Sequence, residues 1–150
     1  MTNKGKVVLP PVSQVGIVVK DIEKTAEYYY TTFGIGPFSI QEVKMEGVML
    51  RGRPITAKIK VAFAQSGPVQ IEIIQPLEGE NIYTEFLDSK GEGLHHLRFR
   101  VNDLDGIVAE LAKQGIEPIF NLKMPRVSVA YLDSDKIGGV IFELSQRTPE

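Results

Sequence analysis

The stretch Leu94-His-His-Leu-Arg-Phe-Arg-Val-Asn-Asp103 decides the fold, because it has a counterpart near the start of the chain, Val12-Ser-Gln-Val-Gly-Ile-Val-Val-Lys-Asp21. Each alternates apolar residues, Leu97, Phe99 and Val101 in one and Val15, Ile17 and Val19 in the other, the period-two pattern of a strand with one buried face. Each ends on an aspartate suited to cap a helix. Three further blocks keep the same order. Gly34-Ile-Gly-Pro37 matches Gly115-Ile-Glu-Pro118, Val61-Ala-Phe-Ala-Gln-Ser66 matches Val129-Ala-Tyr-Leu-Asp-Ser134, and Ile71-Glu-Ile-Ile-Gln75 matches Phe142-Glu-Leu-Ser-Gln146. Four blocks in one order indicate two copies of one unit. Chance likeness between amphipathic segments is the competing explanation.

Each copy reads as β-α-β-β-β. The first helix carries Ile22, Ala26, Tyr29, Tyr30 and Phe33 on a helical period and stops at Gly34; the second carries Leu104, Ile107, Val108 and Leu111 and stops at Gly115. Strands follow over Phe38–Val43, Ala57–Ala64 and Val69–Gln75, and again over Ile119–Leu122, Val127–Leu132 and Gly139–Ser145. This makes an α+β chain: one module over about 11–77, a linker over 78–92 with a short helix at Asn81–Leu87, and a second module over about 93–147. The first eleven residues, with Pro10-Pro11, read as an extended arm.

The chain has 150 residues, one domain's worth, of which 43% are hydrophobic and 24% charged. Seventeen basic against nineteen acidic residues give a net charge of −2, with no footprint for nucleic acid. Cysteine is absent, which removes disulfides, thiolate metal sites and a cysteine nucleophile. No apolar run reaches the ~18 residues of a membrane span. Met1–Lys6 is polar, and Val7-Val8-Leu9 is too short for the apolar part of a signal peptide. A cytoplasmic location is the expectation.

Alternation also sorts polar residues by face. If the apolar residues of the first and last strands of each copy face the helices, then Gln14, Glu72, His96 and Glu143 face away from them, at equivalent places in the repeat. His95, one residue earlier, points opposite to His96. Carboxylates flanked as in Ile-Glu-Ile or Phe-Glu-Leu are costly to bury unless paired. A divalent cation between Glu72 and Glu143, completed by Gln14 and His96, offsets their repulsion, and this donor set suits Zn, Ni, Co, Mn or Mg. The alternative is that the four face solvent on the open side of an antiparallel sheet.

Gln14-Val-Gly-Ile-Val-Val-Lys-Asp21, Phe33-Gly-Ile-Gly-Pro37, Ile71-Glu-Ile-Ile-Gln-Pro76, Gly91-Glu-Gly-Leu-His-His-Leu97 and Gly138-Gly-Val-Ile-Phe-Glu143 together resemble the vicinal oxygen chelate superfamily. That superfamily includes glyoxalase I, methylmalonyl-CoA epimerase, extradiol dioxygenases and bleomycin-resistance proteins, and the resemblance covers residues 12–147. It implies paired βαβββ modules wrapped into a cup-shaped, largely antiparallel sheet with helices outside. It implies metal ligands at Gln14, Glu72, His96 and Glu143, holding Zn, Ni, Co or Mn, with Glu143 and then Glu72 as candidate catalytic base. The implied chemistry is that of an isomerase or lyase: proton abstraction beside a metal-polarised carbonyl of a small carbonyl or thioester substrate. The implied alternative is a metal-free protein of the same fold that sequesters a small molecule such as a drug. A homodimer is the expected assembly.

The same resemblance narrows the choice. A two-histidine iron site is disfavoured, since the only histidines are His95 and His96. The positions where glyoxalase I anchors glutathione hold Val18, Pro76 and Glu92. Methylmalonyl-CoA epimerase places a second glutamate where Pro54-Ile-Thr-Ala57 stands here, leaving Glu42 or Glu46 as possible substitutes from the loop before it. Arg98 and Arg100 share the His96 face and either bind an anion or, more commonly, pair with acids. Arg51, Arg53, Lys58 and Lys60 are expected in a solvated basic loop over Lys44–Lys60, where they can alternatively meet a coenzyme A phosphate. Tyr28, Tyr29 and Tyr30 are expected in core and interface packing. Phe63 and Tyr131 are equivalent in the repeat and either line the cavity or fill the core.

Overall fold

The computed structural model describes residues 7–149. Its elements are β1 (Gln14–Val18), α1 (Ile22–Phe33), β2 (Ser39–Leu50), β3 (Arg53–Ser66), β4 (Val69–Glu78), α2 (Ile82–Lys90), β5 (Gly93–Arg100), α3 (Leu104–Ala112), β6 (Pro118–Met124), β7 (Val127–Leu132) and β8 (Ile141–Arg147). The eight strands close in the order β1-β4-β3-β2-β6-β7-β8-β5. Both halves therefore use one topology. β1 runs parallel to β4 and β5 parallel to β8, and every other pairing is antiparallel. The halves join along β1–β5, and on the far side through Met49↔Asn121 and Leu50↔Phe120.

Matching residues do matching work in the two halves. Asp21 accepts from the Lys24 N–H and Asp103 from the Gly106 N–H, capping α1 and α3; such a cap contributes about 1 kcal/mol. The side-chain oxygen of Gln75 accepts from the Ile22 N–H at 2.9 Å, and that of Gln146 from the Leu104 N–H at 2.8 Å. Each last strand of a half thus holds the first turn of its helix. α1 ends on Gly34, whose φ of 71° is open to a residue without Cβ.

Three apolar clusters follow from the alternation. Ile17, Val19, Ile22, Ala26, Ala62 and Ile73 pack α1 on the outside of one half; Leu97, Phe99, Leu104, Leu111 and Leu144 are among those packing α3 on the other. Inside the barrel, Val18, Met45, Val48, Ile59, Ile74 and Phe120 form the third. α1 and α3 are external, as the resemblance implies. α2 instead closes one end of the barrel, with Ile82 and Tyr83 buried among the interior residues and Asn81 capping it through the Tyr83 and Thr84 N–H groups.

Several expectations need correction. The Lys44–Lys60 segment is a β-hairpin, turning at Arg51-Gly52, because β2 and β3 pair from Ser39↔Phe63 to Leu50↔Arg53. Three of the four cations singled out there are matched by acids: Arg51 with Glu85, Lys58 with Glu42 and Lys60 with Glu23. Glu42 is thereby engaged, and Glu46 pairs with Lys44 at 2.7 Å in solvent. Of the three tyrosines on α1 only Tyr29 packs into a cluster, while Tyr28 and Tyr30 are 59% and 51% exposed. α3 stops at Ala112, and a turn through Gln114 delays the glycine stop to Gly115. β8 runs Ile141–Arg147, displaced toward the C-terminus. Met1–Lys6 lies outside the described residues; of the arm, Val7 and Leu9 pack against the α3 cluster.

Candidate functional site

The barrel end opposite α2 opens into a cavity of about 610 Å³, within the range of small-molecule sites. Gln14, Glu72 and Glu143 line it, and His96 lies fully buried in direct contact with Gln14 and Glu72. Alternation places them there. Gln14, Gly16 and Val18 are the buried residues of β1, and the last strand of each half brings its glutamate onto the same inner face.

His96 Nε2 is where the four side chains meet. Gln14 Oε1 lies 3.1 Å from it, Glu72 Oε1 3.2 Å and Glu143 Oε2 4.0 Å. Gln14 is oriented by its own donor, Nε2, which gives a 2.7 Å hydrogen bond to Gln70 Oε1. Among the described residues no group of three or more His, Asp or Glu is arranged so that it could hold a metal ion as it stands. Ligands held about 2.1 Å from one cation lie about 3–3.5 Å from each other; the 3.1 and 3.2 Å separations fall in that range, as hydrogen bonds also do, and the 4.0 Å to Glu143 lies outside it. Glu143 Oε2 is buried without a hydrogen-bond partner, an acceptor in want of a proton or a cation.

The imidazole pair departs from simple alternation. β1 and β5 are in register at Gly16↔His96 and then at Ile17↔Leu94, so a bulge falls at His95. His95 is consequently as buried as His96, its Nδ1 lies 3.0 Å from His96 Nδ1, and both rings contact Tyr131. The expected opposite-face arrangement is overturned by that extra residue. His95 also packs on Tyr83 and Phe86 of α2.

Burial works against charge on both imidazoles, with different outcomes. For His96 the hydrogen bond it donates to Glu72 and the charges of Glu143 and Glu72 outweigh it and raise the pKa. His95 has no acid beside it; burial and the charge of His96 hold its pKa well below the ordinary value. A charged His96 thus donates from both nitrogens, and neutral His95 accepts at Nδ1. Burial and then the Glu72 charge, against the pull of His96 and Arg98, raise the Glu143 pKa.

Phe63 and Tyr131 take different roles despite equivalent pairing, Phe63↔Glu72 and Tyr131↔Glu143. Phe63 lines the cavity; Tyr131 is buried beside His96, its hydroxyl 2.7 Å from that of Tyr83. Arg98 Nε donates to Ser13 Oγ at 3.0 Å, so a hydroxyl rather than an acid anchors it. Residues not singled out in the sequence also line the cavity: Gln70, Arg126, Ser145, Arg147 and Thr148. Alternation reaches some of them, since Gln70 shares a face with Glu72, and Ser145 and Arg147 with Glu143.

Residues 13–130 match the model of the Glyoxalase/Bleomycin resistance protein/Dioxygenase superfamily. The chain belongs to this superfamily. Among relatives, it is 31% identical over 137 residues to an uncharacterized protein, YqjC, of Bacillus subtilis (strain 168), covering 88% of this chain and 89% of that one. It is 25% identical over 138 residues to the mitochondrial methylmalonyl-CoA epimerase of Mus musculus, covering 89% of this chain and 71% of the relative. The crystal structure of methylmalonyl-CoA epimerase from Mycobacterium tuberculosis superposes with a TM-score of 0.70 at 23% identity, over 99% of this chain and 94% of that one, a likeness of fold. Of the three residues that the resemblance sets at the glutathione anchors of glyoxalase I, Val18 is fully buried in the interior cluster, Pro76 stands in β4 and Glu92 accepts the Lys20 N–H at 2.9 Å. None of the three lines the cavity.

Proposed function

We propose that this protein is a divalent-metal-dependent isomerase or lyase that removes a proton from the carbon beside the carbonyl of a small ketone, aldehyde or thioester. The observation that carries this reading is the meeting of Gln14, Glu72 and Glu143 at His96 Nε2 on the cavity floor, with Glu143 Oε2 unpartnered. The donor set fits Zn, Ni, Co or Mn, and Gln14, Glu72, His96 and Glu143 would hold it. The bound cation would supply Lewis acidity, drawing electron density from the substrate carbonyl.

The chain's own residues do the rest. His95 receives the His96 Nδ1–H and so turns Nε2 toward the floor. Gln70 fixes the Gln14 amide. Glu143, whose burial makes its carboxylate a stronger base than an exposed one, accepts the substrate proton as the C–H bond breaks and its electron pair moves toward the carbonyl. Return of that proton from Glu143 to the same face restores the substrate; delivery of a proton to the opposite face of that carbon, by Glu72 as the second carboxylate, gives the epimer, and return from Glu143 to the neighbouring carbon gives the isomer. Among the described residues lining the cavity, Glu72 and Glu143 are the carboxylates, so Glu72 is the second candidate base. The relatedness to methylmalonyl-CoA epimerases supports this branch over the glutathione-dependent one.

The apolar wall of Phe63, Val127 and Val129 favours a second reading, a metal-free binding protein for an apolar small molecule. One experiment separates the two. Protein loaded in turn with Zn, Ni, Co and Mn is incubated in D2O with acyl-CoA thioesters and 2-hydroxy carbonyl compounds, and exchange at the carbonyl-adjacent carbon is followed by NMR. Metal-dependent exchange abolished by Glu143→Gln supports the enzyme. No metal retention and no exchange with any substrate overturns it.

A further inference from the structure

We infer that the cavity mouth is an anion site, built from Arg98, Arg100 and Arg147 with Arg126 on the same rim, and that it takes a substrate end-group carrying two or more negative charges as carboxylates or phosphates. The inference rests on the reading above only in placing the reacting carbon at the floor.

Strand register gathers these cations. Arg98 and Arg100 stand two residues apart on the inner face of β5. Arg98 is paired with Glu143, and Arg100 with Ser145, on β8. Arg147 ends β8 two residues beyond Ser145 and is paired with Val127, the residue after Arg126. All four line the cavity. Across it, Glu72 and Glu143 lie at the floor, so its inner end is acidic and its mouth basic.

The usual fate of such arginines is an ion pair, and the hairpin of this chain shows it, with Arg51 bound by both oxygens of Glu85. The mouth differs. Among the described residues, Arg98 is held by Ser13 and Gln70, and no acid lies within salt-bridge distance of Arg98, Arg100 or Arg147. Partial burial, and after it the charges of Arg98 and Arg147, disfavour the charge on Arg100. Like charges gathered in a partly buried cleft are destabilising unless a counter-ion joins them, and planar guanidinium forks match the oxygens of carboxylate and phosphate. A cleft lined by one sign also concentrates the opposite charge at its entrance. A substrate anchored by its anionic end at the mouth then extends its carbonyl toward the floor.

The test uses the full chain freed of metal, so that it reads the mouth and not the floor. Calorimetric titration with pyrophosphate, tricarballylate and acetate is run at about 50 mM and about 300 mM NaCl. The expected result is that pyrophosphate, tricarballylate or both bind at least about tenfold tighter than acetate, with weaker binding at the higher salt. Pyrophosphate alone identifies a phosphate end-group; tricarballylate alone identifies a polycarboxylate. The double variant Arg100→Gln/Arg147→Gln, checked by circular dichroism, should lose about tenfold or more, whereas Lys123→Gln on β6 should not. Binding no tighter than acetate, or equal binding by the folded double variant, overturns the inference. Failure of the floor chemistry would show instead as absent metal retention and absent exchange with the mouth intact.

Discussion

A Cβ placed on Gly16 would lie 2.0 Å from Cε1 of His96 and 2.4 Å from each ring nitrogen. The two residues are paired across β1 and β5, and the imidazole occupies the space that any other side chain at position 16 would fill. The site therefore depends on a missing side chain as much as on the four present. Gly16→Ala should push the His96 ring off its partners, cost about 1–3 kcal/mol in denaturant unfolding, and abolish metal-dependent exchange. A variant of wild-type stability with full exchange would contradict the placement of His96.

Glu143 gives a prediction whose sign depends on metal. Its folded pKa is raised, chiefly by burial, so its ionised form destabilises the metal-free fold at neutral pH and above. Glu143→Gln keeps the shape and removes the charge. The metal-free variant should melt at or above the temperature of the metal-free parent at pH 8, while exchange falls by about 10²–10⁴-fold. A metal-free variant clearly less stable than its parent would show that the carboxylate is well satisfied in the fold.

The pH dependence follows from the same groups. His96 and Glu143 both have raised folded pKa values. Their contribution to the metal-free fold is therefore present below the ordinary values of 6.5 and 4.5 and is lost as pH rises through the folded ones. A cation needs both deprotonated. The rise in melting temperature on adding Zn should thus be larger at pH 8 than at pH 6. His95, with its lowered pKa, acts oppositely, losing its contribution as pH falls below 6.5, but it does so in loaded and metal-free protein alike. Differential scanning calorimetry checks this; a shift that shrinks with rising pH would argue against ligation by these residues.

Tyr83 and Tyr131 share one buried hydrogen bond of 2.7 Å that ties α2 to β7. Removing one hydroxyl strands the other. Tyr83→Phe or Tyr131→Phe should each cost about 1–3 kcal/mol, and the double variant should cost less than the sum of the two. Strict additivity in a double-mutant cycle would mean that the hydroxyls do not depend on one another.

How much of this the sequence discloses depends on how local the cause is. The faces of Gln14, Glu72, His96 and Glu143 follow from alternation within single strands, and the paired roles of Asp21 with Asp103 and Gln75 with Gln146 follow from the repeat. The bulge at His95 is set by the register of β5 against β1, which no single strand encodes, so the two imidazoles meet where alternation separates them. The hairpin over 44–60 is only partly legible: Lys44 and Glu46 alternate with Val43 and Met45, and Lys58 and Lys60 with Ala57 and Ile59, but the register shift between Met45 and Val48 and the turn at Arg51-Gly52 break the pattern between them. The role of Gly16 is legible only from the ring across from it.

The most direct test of the four-residue site is anomalous diffraction from crystals of the protein saturated with Zn, collected at the absorption edge. The account predicts one strong peak in the barrel, about 2.0–2.3 Å from Gln14 Oε1, His96 Nε2 and one carboxylate oxygen each of Glu72 and Glu143. No peak there at saturation, or a cation bound by other side chains with His96 still hydrogen-bonded to Glu72, would contradict it.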